Sequence, residues 1–124
     1  MPILKFDDAP EFDLSGIRIR GLASPSRGST ELMTYRVELG SGQVLASHTH
    51  DHEEVSHVLS GRWTVSIEGQ ETTLGPGDTV VIPTGVTHGS RTREGDEAVI
   101  LTSMPVGTVL IRVDGERVAP PWGA

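Results

Sequence analysis

The sequence contains no cysteine, which excludes disulfides, thiolate metal ligands and cysteine nucleophiles and fits the cytoplasm, the expected location. It has no run of about 18 apolar residues, so no membrane span is expected. The opening MPILKFDDAPEF lacks a long apolar stretch before a small-residue cleavage site, so no signal peptide is expected either. Positive charge is not in excess. Ten Lys and Arg stand against 17 Asp and Glu, a net charge of -7, which argues against electrostatic docking on nucleic acid or anionic lipid. Sustained hydrophobic periodicity of 3.6 is also missing, so helices should be few. No repeat, low-complexity tract or linker divides the chain. Its 124 residues are read as a single domain, 1–124.

What the sequence does contain is turn residues and short alternating runs. Fifteen Gly and eight Pro suit short elements joined by tight turns. Met33, Tyr35, Val37 and Leu39 alternate with Thr34, Arg36 and Glu38, the period-2 pattern of a half-buried strand. Trp63, Val65 and Ile67 alternate in the same way with Thr64 and Ser66. Further strands are expected at Gly16–Arg20, Gln43–Ser47, Glu54–Ser60, Thr72–Leu74, Thr79–Ile82, Ala98–Ser103 and Val109–Val113. Turn signals separate them, among them Glu68-Gly69, Gly75-Pro76-Gly77-Asp78 and Asp114-Gly115. About nine short strands at this spacing predict an all-β fold, an antiparallel sandwich or barrel. The tail Ala119-Pro120-Pro121-Trp122 cannot join a central strand, because proline lacks the donor. It is expected across the surface or against a neighbouring subunit.

Chemistry concentrates in one place, since four of the five histidines lie between His48 and His57. His48 and His50 are two apart, so on a strand they share a side. Glu54 starts the next apolar run and can return toward them after the turn Asp51–Glu53. His88 follows a strand and the turn Pro83-Thr84-Gly85 and can supply a third imidazole. Glu53 competes with Glu54 for the carboxylate role. His52 lies in the turn and reads as a solvated surface histidine. His57, three residues after Glu54, falls on the opposite strand face and reads as a packing or interface residue. Imidazole and carboxylate suit iron, manganese, nickel, copper, zinc or cobalt.

These residues resemble the two motifs of the cupin superfamily. The first, G-x5-H-x-H-x3/4-E-x6-G, is met by Gly42, His48, His50, Glu54 and Gly61, spanning residues 42–61. The second, G-x5-P-x-G-x2-H-x3-N, is met over residues 77–92 by Gly77, Pro83, Gly85 and His88, with Thr92 where the motif has asparagine. The resemblance implies a small single-domain cupin with a double-stranded β-helix fold, the jelly-roll β-barrel. It implies metal ligands His48, His50, Glu54 and His88, with positions left open for substrate or oxygen. The expected cofactor is a divalent transition metal, Fe(II) or Mn(II) ahead of Ni, Cu, Zn and Co.

The family's commonest metal chemistry implies an oxygenase or oxidoreductase, of dioxygenase type, acting on a small oxygenated molecule that carries an enolate or carboxylate. Two alternatives stand beside it. One is a metal-dependent isomerase, decarboxylase or lyase, with His52, His57 or Tyr35 as the separate base it would need. The other is a non-catalytic cupin that binds or senses a small ligand or metal. Arg18, Arg20, Arg36, Arg62 and Arg91 are candidates for a second charge anchoring an anionic substrate, although Arg91 should point opposite His88. By family habit a homodimer is expected.

Overall fold

A computed structural model describes residues 1–124. Twelve strands follow in chain order: β1 (Glu11–Asp13), β2 (Ile17–Ala23), β3 (Leu32–Leu39), β4 (Val44–His50), β5 (Glu54–Gly61), β6 (Trp63–Ile67), β7 (Gln70–Leu74), β8 (Thr79–Ile82), β9 (His88–Arg91), β10 (Ala98–Pro105), β11 (Leu110–Arg112) and β12 (Arg117–Val118). They form two six-stranded sheets, one ordered β1-β2-β3-β10-β5-β8 and the other β12-β11-β4-β9-β6-β7. Every strand pairing is antiparallel. The expected all-β jelly-roll is therefore the fold. Its only helical pieces are 3-10 turns of three residues, and no helix is long and apolar enough to cross a membrane.

Alternation explains where the core sits. On β3, Met33, Tyr35, Val37 and Leu39 are all buried, while Thr34, Arg36 and Glu38 between them are not. The neighbouring β10 buries Ala98, Ile100, Thr102 and Met104 in the same rhythm. From the facing sheet, Trp63 and Val65 of β6 complete a cluster of 12 buried apolar residues. Each such side chain contributes about 1.5–3 kcal/mol of burial free energy. The inward row ends in polar residues on β5, where Glu54, Ser56 and Val58 are buried on one face. That row of β5 leads from the core into the site.

Three strands were not expected from the sequence: β1, β9 and β12. The segment His88-Gly89-Ser90-Arg91 has almost no β-branched character. It is a strand because β4 and β6 pair with it on either side. The tail also departs from expectation. Pro120 is buried, and Trp122 packs on Phe12 and Tyr35 with ring centroids 6.1 and 5.9 Å apart. Proline does keep the segment out of the sheets, but its indole gives it apolar area that the barrel covers, so it closes the barrel instead of lying on its outer surface.

Candidate metal centre

His48, His50 and His88 converge, their candidate ligand atoms all within 4.8 Å of one another. β4 supplies the first two and the adjacent β9 the third, with His48 directly opposite His88 in the register. A bulge makes this possible. Between Leu45 and His48, β4 advances three residues while β9 moves two, from Ser90 to His88. Strict alternation would send Leu45 and His48 to opposite faces. The extra residue returns both to the interior, where both line the same cavity. Gly89 permits the close approach, since a Cβ there would stand 3.1 Å from the Leu45 carbonyl and 3.2 Å from the Ser47 amide nitrogen.

Two of the imidazoles have their tautomer set by backbone. His48 Nδ1 donates to the Ala46 carbonyl at 2.7 Å, and His88 Nδ1 donates to the Val86 carbonyl at 2.9 Å. Each leaves Nε2 with its lone pair free for a cation. His88 Nε2 and His50 Nδ1 are both buried without a hydrogen-bond partner. Unpaired ring nitrogens at the meeting point of three histidines are what a cation's donor set requires. Three histidines are thus positioned to bind a metal.

Glu54 stands beside them. Its Oε1 lies 3.4 Å from His50 Nδ1 and 3.6 Å from His88 Nε2. Its Oε2 accepts a hydrogen bond from the Ser56 hydroxyl at 2.8 Å, and Ser56 in turn is 2.8 Å from the Thr102 hydroxyl. Ser56 has one proton and gives it to Glu54, so Thr102 donates to Ser56. Burial alone would raise the Glu54 carboxyl, but His88, Ser56 and His50 outweigh it and hold it below the usual carboxylate range. Burial lowers His48 and His50. It works the same way on His88, but there the Glu54 carboxylate and the Val86 carbonyl prevail and the imidazole is raised.

The remaining sequence candidates lie elsewhere. Glu53 is exposed, leaving Glu54 as the carboxylate that faces the histidines. His52 is exposed and paired with Asp51 at 3.0 Å. His57 sits on the outer face of β5, hydrogen-bonded to the Thr79 hydroxyl at 2.7 Å. Thr92, in the place of the motif's asparagine, is buried and ties two loops together: it donates to the Gly40 carbonyl at 2.6 Å and accepts from the Gln43 amide at 3.0 Å. None of the candidate arginines reaches the site. Arg18 and Arg20 pair with Glu11 at 2.9 and 3.3 Å, Arg36 pairs with Glu38, and Arg91 pairs with Glu71 at 2.8 Å. Arg62 is exposed. Strand parity puts Arg18, Arg20, Arg36 and Arg91 outside the barrel, where acidic neighbours take them up.

The histidines form one wall of a cavity of about 150 Å³ with 19 lining residues, 11 of them hydrophobic and none of them arginine or lysine. Tyr35 lines it too. Burial, reinforced by the Glu54 charge and only partly opposed by Trp122, holds its phenol far above the ordinary tyrosine range. It stays protonated and cannot serve as the base considered from sequence. Ser56, Thr102 and Trp122 were missed in the sequence. The signal for the first two was there, since Thr102 is a polar residue in the otherwise apolar inward row of β10 and Ser56 shares the inward row of β5 with Glu54. Nothing in the sequence signalled Trp122.

The family model described as the cupin domain matches residues 35–104, more than half of the chain. The chain belongs to the cupin family. Solved structures agree. The polyketide cyclase RemF from Streptomyces resistomycificus superposes with a TM-score of 0.77 at 23% identity, covering 98% of this chain and 82% of its own. KdgF from a Halomonas species gives 0.71 at 28% identity, covering 85% and 94%. The DMSP lyase DddQ from Ruegeria pomeroyi gives 0.64 at 30% identity over 71% of this cupin, which spans 46% of that chain. No curated protein sequence matches this cupin.

Proposed function

We propose that this cupin is a metal-dependent oxygenase acting on a small, apolar-bodied molecule that presents an enolate, phenolate or carboxylate oxygen. The observation that supports this best is the convergence of three imidazoles on one wall of a mostly hydrophobic cavity. Glu54 is the fourth ligand in this reading, its remaining oxygen held by Ser56. A divalent ion bound there would supply Lewis acidity, and iron or manganese would add one-electron chemistry. The protein's own residues supply the surroundings. The apolar walls exclude water and admit dioxygen, itself apolar. With no cationic side chain in the wall, a polyanionic substrate would lack compensation, so the preferred molecule carries at most one anionic oxygen. Protonated Tyr35 donates to a substrate oxygen. Protein reconstituted separately with iron and manganese should consume oxygen with one of a panel of catechols, flavonols, diketones and enediols. No consumption across that panel overturns the reading.

A second reading is oxygen-independent elimination or isomerisation at the same centre. Tyr35 favours it, since its phenol lines the cavity, where it is placed to hydrogen-bond a developing enolate oxygen. The relative DddQ is itself a lyase. Turnover that persists without oxygen assigns this chemistry. Ligand binding that depends on His50 without any turnover assigns a binding module.

A further inference from the structure

We infer that the bound molecule is built on a single ring, and that Trp122 is the residue that imposes this limit. The inference takes the site from the reading above and is independent of which reaction occurs there. A cavity of about 150 Å³ with mostly hydrophobic walls is the size that holds one benzene ring. Most of its walls are interior faces of hydrogen-bonded strands, which cannot retreat without breaking their ladders. One wall differs. Trp122 comes from the 3-10 turn Pro121–Gly123 and belongs to neither sheet. It leans edge-on against Phe12 at 6.1 Å and tilted against Tyr35 at 5.9 Å, with interplanar angles of 65° and 57°.

Beyond the tail there is open space. Pro120 lines the histidine-walled cavity on one side and, on the other, a groove formed with Pro25, Met33 and Val106. At Pro120 the tail separates cavity and groove by a single residue. It is held at its far end by Ser26, whose amide and hydroxyl both donate to the Ala124 carbonyl, at 3.3 and 2.7 Å. Beneath it lies Gly21, where a Cβ would come within 2.8 Å of the Trp122 carbonyl. Truncating the indole thus extends the cavity into the volume the ring occupies, at a wall that no strand provides. A one-ring molecule fits the native length, and a fused two-ring molecule needs that extension.

The test is binding, measured by isothermal titration calorimetry with phenol and 2-naphthol on the native protein, Trp122→Ala and Trp122→Phe, each checked for its fold by circular dichroism. The native protein should bind phenol and take 2-naphthol at least about tenfold more weakly. Trp122→Ala should reverse that order, and Trp122→Phe should fall between while keeping the aromatic contact with Tyr35. If Trp122→Ala does not fold, the phenylalanine variant decides. Equal affinity of the native protein for both probes overturns the inference. So does an unchanged order in the folded variants, or no phenol binding at millimolar concentration. Because turnover is not read, absence of oxygen consumption with the size order intact overturns the oxygenase alone. Oxygen consumption with no size order overturns the role of Trp122 alone.

Discussion

At the scale of the residue, the site is governed by which nitrogen of each imidazole is free. Ala46 and Val86 carbonyls take the Nδ1 protons of His48 and His88 and so present Nε2. His50→Ala and His88→Ala should each abolish stoichiometric metal binding, measured by elemental analysis after dialysis, whereas His57→Ala on the outer face should leave it unchanged. Ser56→Ala removes the donor to Glu54 and should weaken metal affinity by about 10–100-fold. Titration follows from the same contacts. His48 and His50, lowered by burial, bind fewer protons folded than unfolded, so they cost stability as pH falls through about 6.5. His88, raised, has the opposite sign: its contribution is full below about 6.5 and is lost as pH rises through its folded value. Glu54, lowered, contributes above the unfolded carboxylate value and loses that contribution as pH falls through its folded one. Two histidines outweigh one. Urea denaturation of the metal-free protein should show stability declining between about pH 7 and pH 5 and again below about pH 4; a flat or rising profile would contradict the pairing described. Bound metal should be released over the first of these ranges, because ligand imidazoles must be neutral.

At the scale of the element, the bulge in β4 and the glycines of the two motifs decide where the ligands stand. Gly61 has φ +82° and no room, since a Cβ would meet the Glu97 carbonyl oxygen and Ala98 Cα. Gly85 has φ +79° but nothing within 4 Å. Both positions favour glycine by conformation, but only Gly61 does so by packing as well. Gly85→Ala should therefore cost about 1 kcal/mol, the left-handed strain alone. Gly61→Ala should cost about 3 kcal/mol or more. Denaturant midpoints with unchanged slopes would measure both. Equal losses would mean that the Gly61 backbone relaxes freely, against the close approach of β5 to the loop before β10.

At the scale of the whole molecule, a metal bridging β4 and β9, with Glu54 of β5 as its fourth ligand, would link the two sheets. Chelation should lower the melting temperature. An ion present at about 100 times its dissociation constant adds about 2.7 kcal/mol, roughly 10 °C for a domain of this size. Differential scanning calorimetry before and after chelation and re-addition would read it, and no shift would argue against a resident metal. We propose that the homodimer expected by family habit forms through the outer face of β5 and β8, since Leu59 and Val81 are 45% and 54% exposed there beside the edge of a sheet. Light scattering should then report twice the 13.3 kDa chain mass; a single chain mass would remove this interface.

Alternation and motif spacing alone determined the all-β class, most strands to within about two residues, the inward row of β3, and the histidines and carboxylate that meet. They could do so because side-chain parity on a strand is local and ligand spacing is counted along the chain. Three things depended on the tertiary structure. The bulge that turns Leu45 and His48 to one face arises from pairing with β9, itself a strand only because of its neighbours. The candidate arginines lost their role because none of them lines the cavity, and four of the five pair with acidic side chains outside it. Trp122, far along the chain from the motifs, became a cavity wall because the barrel offers its indole an apolar seat against Phe12 and Tyr35. Contacts between residues distant in sequence leave no period or spacing to read, and those contacts set the size of the molecule this site accepts.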